Sequence, residues 1–447
     1  MNDRPTELAP AIAQALPQAD GSFFMTADLS GVGGVLKEHP EDFLVEEIPA
    51  YEPVGSGEHW YVFIEKRDAT TSQAIGALSK RFNLHRKNVG CAGLKDRHAV
   101  TRQWISLHDP GRCIPEADLV SFETQQVRVL HVDRHTNKLR RGHLRGNRFR
   151  IALRQVSVGS APRALAILRV LEKKGSPNFF GAQRFGRRAN NHLLGRAIIT
   201  GRYDEALDHL LGASATDADQ TDPMTRIDSA RQFYSDGQLE DALAATPRFL
   251  SAERQALLAL SRGAEARGAL RAVGVQARQL WLSAFQAAVF DEALLERANR
   301  GALDVLEVGD LAFKHDSGAV FEVAPDVLNT ELTERLERLE ISPSGPMWGP
   351  AMKRATGAAD QREMAALVNA GVTIESLERF GEEWRESGMG VRRSMRIKVG
   401  SPNVEAGVDD RGEYVTCVFE LPPGAYATAV MGEVMKTTSA PAARAPW

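Results

Sequence analysis

The chain has 447 residues, 43% of them hydrophobic and 25% charged, with a formal net charge of −3. This globular composition is long enough for two cores, and the near-neutral total by itself argues against a nucleic-acid binder. Three cysteines (Cys91, Cys113, Cys417) lie far apart without CxxC spacing, which excludes a disulfide framework or zinc ribbon; no apolar run reaches membrane-spanning length and Asp3 and Glu7 break any leader pattern, so a reducing cytoplasm is expected.

In chain order, residues 1–20 read as an Ala/Pro/Gln-rich tail, and Val35 to Leu153 read mostly as β structure. Lys37 to Glu47 form a strand, a proline turn and a second strand, and Trp60 to Ile64 form another. Thr71 and Ser72 are placed to cap a helix over Gln73–Phe82, with Ile75, Leu78 and Phe82 on one stripe. An apolar run, Val89 to Ala92, leads into the turn Gly93-Leu94-Lys95-Asp96-Arg97-His98 and a strand over Gln103–Leu107. Phe149, Ile151 and Leu153 alternate with Arg150, Ala152 and Arg154, as in a half-buried strand, and a helix follows over Ala161–Lys173. After Pro177 helical segments dominate to about Trp384, including Leu280–Arg297 with Trp281, Phe285 and Val289 on one stripe. Beyond Met389 alternation returns at Met395, Ile397 and Val399, then at Val415, Cys417, Phe419 and Leu421. A β pattern that stops and resumes predicts an insertion: a first part over 21–177, an inserted domain over 178–388, a second part over 389–436 and a tail over 437–447.

Charge is segregated into blocks. Arg134 to Arg154 hold eight Lys or Arg and no acid, and 178–202 hold five Arg and no acid. From Tyr203 to Ser261 eleven acids face four bases. Blocks make a strong local field even at small net charge. The interleaving in Arg145-Gly146-Asn147-Arg148-Phe149 points to RNA, because cations there can meet phosphates beside an aromatic stacking surface. Solvated charged faces are the bland alternative.

Asp96 stands in a turn crowded with cations, which favour its ionised form; such a carboxylate can cap a turn, pair with a cation or attack carbon. Lys37, at the end of a core strand, is a cation that can reach a loop carboxylate. The acids of Glu38 to Glu47 suggest a two-carboxylate glycosidase site less readily than a solvated edge. His131 and His135 lack a third metal ligand nearby, and Gly31 to Gly34 are not followed by a helix pattern, so neither a metal site nor a nucleotide loop is expected. Asn178 to Gly186 pack three aromatics with Arg184, as either a domain-junction anchor or an RNA contact.

Together these segments resemble the TruD family of tRNA pseudouridine synthases from about Gly34 to Met435. The carrying residues are Lys37 with Pro40-Glu41-Asp42-Phe43, Gly93-x-Lys95-Asp96-Arg97-x-Ala99-x-Thr101-x-Gln103, Gly146-Asn147-x-Phe149, Asn178-x-Phe180-Gly181-x-Gln183-Arg184-Phe185-Gly186, and Leu421-Pro422-x-Gly424-x-Tyr426-Ala427-Thr428. The resemblance implies an α+β fold. A discontinuous pseudouridine-synthase catalytic domain on a mixed, mainly antiparallel sheet with flanking helices would carry an inserted, mainly helical α+β domain. It implies isomerisation of a tRNA uridine, at position 13, without metal or cofactor, by a monomer that needs no protein partner. Asp96 would act at the ribose, Lys37 would pair with it, Asn147 would orient it, and Phe149 would stack on the target base. Lys95, Arg97, His98, Arg141, Arg145, Arg148, Phe180, Gln183, Arg184, Arg187 and Arg188 are the expected RNA contacts. Two competing readings are a non-catalytic RNA-binding protein on the same scaffold, indifferent to Asp96, and a glycosidase or nucleosidase that would release free base.

Overall fold

The structure is a computed structural model and describes residues 23–213, 226–384 and 390–437; the expected tail 1–20, and the expected tail 437–447 apart from Thr437, lie outside the described residues. The chain divides into two units. One holds the described residues up to Pro177 and from Ile397 onward, the other holds Asn178–Arg396.

In the first unit six strands precede the insertion: β1 (Phe43–Pro49), β2 (His59–Arg67), β3 (Val89–Cys91), β4 (Val100–His108), β5 (Val127–His135) and β6 (Leu144–Arg154). A two-residue strand, β7 (Ser176–Pro177), marks the exit. The second unit contributes β8 (Leu311–Lys314), β9 (Val320–Glu322), β10 (Ile341–Met347) and β11 (Val391–Ser394). After β12 (Arg396–Ile397), the hairpin β13 (Gly400–Asp409) and β14 (Gly412–Leu421) completes the first unit's sheet. That sheet has eight strands in the order β13-β14-β6-β1-β4-β2-β5, with β3 branching from β4. β1 and β4 run parallel, and the other pairings are antiparallel.

Two helical covers lie over one face. Strand period puts Phe43, Val45, Phe149, Ile151, Leu153, Val415, Cys417 and Phe419 together, packed against helices Ala161–Lys174 and Ala427–Met435. Trp60, Val62, Ile64, Ile105 and Leu107 form the second cluster with Ala74 and Leu78 of helix Thr71–Arg81. That helix is capped by Thr70, whose Oγ1 accepts from the Gln73 amide, and not by Thr71 or Ser72 as expected. The reason is that the Thr71 hydroxyl is engaged elsewhere, donating to Gln103 and accepting from the Lys95 amide. Glu433 of the last helix is fully buried and accepts from the Met25 and Thr26 amides and the Thr26 hydroxyl, fixing the first described segment.

The second unit combines helices with a four-stranded sheet in the order β11-β10-β8-β9. Its longest helix, Val275–Asn299, buries Trp281, Phe285 and Val289. Helix Asn191–Ile199 crosses it at Gly195, where a Cβ would lie 2.3 Å from the Trp281 carbonyl oxygen, so only glycine fits. The return of alternation near residue 389 was expected to begin the second catalytic part. Val391–Ser394 instead pairs with β10, and the boundary falls at Arg396/Ile397. Alternation identifies a strand but not the sheet it joins.

Candidate active site

The covered face of the first sheet carries a row of side chains across six strands: Phe419, Phe149, Val45, Thr101, Lys66 and Val127. The adjacent row holds Leu421, Asn147 and Glu47, with Gln103 opposite Ile64. Between the two apolar clusters lies a polar patch of Asn147, Glu47, Gln103, Thr101 and Lys66, and the chain from Gly93 to Ala99 is bonded to it. Lys95 Nζ donates to Glu47 Oε2 at 2.7 Å and to Asn147 Oδ1 at 2.8 Å. Gln103 Nε2 donates to the Gly93 carbonyl, and Lys66 Nζ donates to the Asp96 carbonyl at 2.6 Å. Gly146, beside Asn147, is required because a Cβ there would meet the Leu421 carbonyl oxygen at 2.4 Å.

The side chain of Asp96 points outward and is 46% exposed, while its neighbour Lys95 is 4% exposed. Lys37 Nζ lies 3.5 Å from Asp96 Oδ2. It also sits over the Phe43 ring, 4.2 Å from the centroid, and Phe43 meets Phe149 edge-on at 6.2 Å. Lys37 has φ +57°, a left-handed conformation that costs a non-glycine residue roughly 1–2 kcal/mol. In this solvated setting the ion pair contributes no more than about 1 kcal/mol, so it does not explain that strain by stability. Phe149 is 7% exposed and stacks on Phe419 at 5.7 Å.

Electrostatics separate the buried groups. Burial pushes the Glu47 carboxyl up, and the ammonium of Lys95 opposes that shift. Burial pushes Lys66 down to about 8, against the pull of Asp96 and Asp68 and with the repulsion of Lys95. Arg97 and His98 approach Asp68 at 3.6 and 3.0 Å. Asp68 has φ +44°, so the turn after β2 holds a carboxylate toward the Asp96 loop.

The structure thus brings Lys37, Asp96, Asn147 and Phe149 onto one face, but the Asn147 amide oxygen is bound to Lys95, one residue before Asp96. Several expected RNA contacts are corrected. Lys95 is buried in its pair with Glu47. Arg148 lies on the opposite face of the sheet, in an alternating row Glu420, Arg148, Glu46, Arg102, Glu65 and Arg128. It is 2.7 Å from Glu420. Arg150 and Arg154 of the same basic run pair with Glu405, and with Asp42 and Asp409, so these members of the run are paired in space. The run was legible but these partners were not, because they are distant in sequence. Arg141 and Arg145 are exposed and make no ion pair to an acid among the described residues. Arg145 is the extra residue at a bulge in β6, where Ile48 pairs with Gly146 and Pro49 with Leu144.

In the second unit, Phe180 is buried, edge-on to Phe290, beneath the Arg393 guanidinium, with its amide donating to Asp291 Oδ1. Of the two readings of this segment, anchor or RNA contact, the burial of Phe180 favours an anchor. Arg188 donates to the His209 and Gly212 carbonyls at the end of helix Tyr203–Leu211, and Arg184 donates to Ser283. Gln183 and Arg187 are exposed. The acids near Pro40 are not a solvated edge throughout: Asp42 and Glu47 are buried against Arg154 and Lys95. His131 and His135 pack on Trp104 and Tyr61 as aromatic surfaces.

Lys66 and Glu47 were missed as site residues. The signal for Lys66 is its place in the inward alternation Trp60, Val62, Ile64, Lys66, where an apolar side chain is the default.

The family model for tRNA pseudouridine synthase D (TruD) matches residues 20–434. The tRNA pseudouridine synthase D of Geobacter metallireducens is 42% identical over 92% of this chain and 97% of its own length. That of Geotalea daltonii is 41% identical over 93% and 99%. A crystal structure assigned as tRNA pseudouridine synthase D from Methanosarcina mazei superposes with a TM-score of 0.76 at 28% identity, covering 95% of this chain and 98% of the other.

Proposed function

Because the chain belongs to the tRNA pseudouridine synthase D family and is an isomerase of that kind, we propose that it converts the uridine at position 13 of tRNA to pseudouridine, with Asp96 acting at the ribose. The observation that carries this reading is an exposed carboxylate, that of Asp96, held beside Lys37 on a loop whose main chain is pinned from below.

The C1′–N1 bond breaks as positive charge develops at C1′, the centre a fixed carboxylate stabilises. Asp96 then either adds to C1′ or assists loss of the C2′ proton to a glycal. The detached uracil turns and C5 bonds to C1′, as the Asp96–C1′ bond breaks or, from the glycal, as C2′ regains its proton; the C5 proton then leaves and N1 takes up a proton. No atom is gained or lost, so the reaction needs neither oxidant nor nucleotide. Lys37 holds Asp96 on its outer side. Asn147 acts through Lys95, whose backbone continues directly into Asp96. Phe149, backed by Phe419, supplies the flat apolar surface on which the base turns.

A stacked uridine must be extracted at a cost of a few kcal/mol, offset by phosphate contacts. Arg97, His98, Arg141 and Arg145 of the first unit, and Gln183, Arg184 and Arg187 of the second, are the proposed contacts. The enzyme works in the cytoplasm as a monomer, without metal, cofactor or protein partner. Incubating unmodified tRNA transcripts with the protein alone, and mapping pseudouridine by carbodiimide-dependent primer-extension stops, tests this. A stop at uridine 13 supports it, and tight binding without product would favour an RNA-binding role.

A further inference from the structure

We propose that Lys66 is a positioning residue that fixes the Asp96 main chain from beneath and so aims the carboxylate; this rests on the reading of Asp96 as the reacting group. Lys66 occupies the fourth inward position of β2, after Trp60, Val62 and Ile64, opposite Thr101 and Val127. It is 0% exposed. Thr101 is uncharged, Val127 is apolar, and no salt bridge joins Lys66 to an acid among the described residues. An ammonium taken out of water costs several kcal/mol unless something compensates it. An apolar residue would continue the alternation and avoid that cost.

What the ammonium meets is a main-chain oxygen, that of Asp96, at 2.6 Å. That carbonyl belongs to the peptide joining Asp96 to Arg97, so holding it sets ψ of Asp96 and with it the direction of the outgoing side chain. The amide one residue earlier, that of Lys95, is held by Thr71 Oγ1 at 3.0 Å. Asp96 is therefore gripped on both sides by groups from two different elements, while its carboxylate stays open. The charge also acts on the carboxylate, since Asp96 and Asp68 both attract the Lys66 ammonium and Lys95 repels it. A cap or a serine could have satisfied one carbonyl more cheaply; a lysine delivers a charge as well.

The test compares Lys66→Met, Lys66→Gln and Lys66→Arg with the wild type in single-turnover assays on unmodified tRNA, alongside tRNA Kd and amide hydrogen exchange. Lys66→Met should lose about 100-fold in rate, the scale of an ångström-sized misplacement of a reacting group, with Kd within about twofold. Lys66→Arg should recover more rate than Lys66→Gln. The Arg97–Ala99 amides should exchange faster in Lys66→Met while β2 and β4 stay protected. A Lys66→Met rate near wild type, or unchanged exchange in the loop, overturns the proposal. Failure of all three variants to fold assigns Lys66 to stability alone and overturns it too. If the wild-type protein makes no pseudouridine in any transcript, the functional reading falls, and the exchange measurement still decides whether Lys66 holds the loop.

Discussion

Lys95 and Glu47 form a buried ion pair, 2.7 Å apart and 4% and 1% exposed, immediately beneath the loop that presents Asp96. The pair explains why adjacent residues in one charged turn face opposite ways. Lys95 is drawn inward by the carboxylate and by Asn147, and Asp96 is left outward beside Lys37. Breaking one partner of such a pair leaves an uncompensated charge and costs about 3–5 kcal/mol. Lys95→Met and Glu47→Gln should each lower the calorimetric midpoint of the first unit clearly. The double variant should lose less than the sum of the two, and additive losses would show that the pair is not coupled.

Phe149 stands in the core as well as in the site, stacked on Phe419 and touching Phe43. Truncation to alanine would remove a core side chain at a cost of about 3–5 kcal/mol, confusing stability with catalysis. Phe149→Leu keeps apolar volume and removes the ring. It should stay folded and lose most of its single-turnover rate, and a near-normal rate would refute the stacking role.

Arg145 and Arg148 belong to the same strand, but Arg148 is paired with Glu420 while Arg145, at the bulge of β6, makes no ion pair to an acid among the described residues. Arg145→Ala should lower the slope of log K against log salt for tRNA binding by about 0.7–0.9, the value for one lost phosphate contact. Arg148→Ala, which removes a partner of Glu420 and Glu46, should leave that slope unchanged. Equal effects would mean that the far face also meets RNA.

Much of the fold was legible because strand alternation and helix stripes are local. Trp60, Val62 and Ile64, the stripe of the long helix in the second unit, and the interrupted β pattern all carried their own signal. The loop bearing Asp96 was legible from its composition. What composition could not give was facing and pairing. The partners of Arg148, Arg150 and Arg154 (Glu420, Glu405, Asp42, Asp409) are distant in sequence, so these three members of the basic run are paired in space. Lys66 is hard to see in the sequence because the apolar run ends at Ile64, while the inward alternation continues one step further with a charged residue.

Lys66 also gives a pH signature. Its folded value, pushed down by burial to about 8, lies below the ordinary 10.5. Between those values the unfolded chain holds a proton that the folded chain has lost, so this group makes stability rise with pH there. Below pH 8 the cost of burying the charge is fully present. Asp96 and Asp68 face the ammonium as attracting charges and Lys95 as a repelling one, and the comparison with a variant cancels their own titrations. The midpoint of Lys66→Met relative to wild type should fall as pH rises from about 8 to 10.5. A constant difference across that window would mean that Lys66 titrates normally.

The central claim is that Asp96 performs the chemistry and does not merely shape the loop. The most direct measurement incubates wild type and Asp96→Asn with the same unmodified tRNA, maps pseudouridine by primer extension, and measures tRNA Kd for both. The account predicts a stop at uridine 13 with the wild type, none with Asp96→Asn, and Kd within about twofold, since the substitution keeps size and removes only charge. Pseudouridine formed by Asp96→Asn, or its loss together with tRNA binding, would contradict the account.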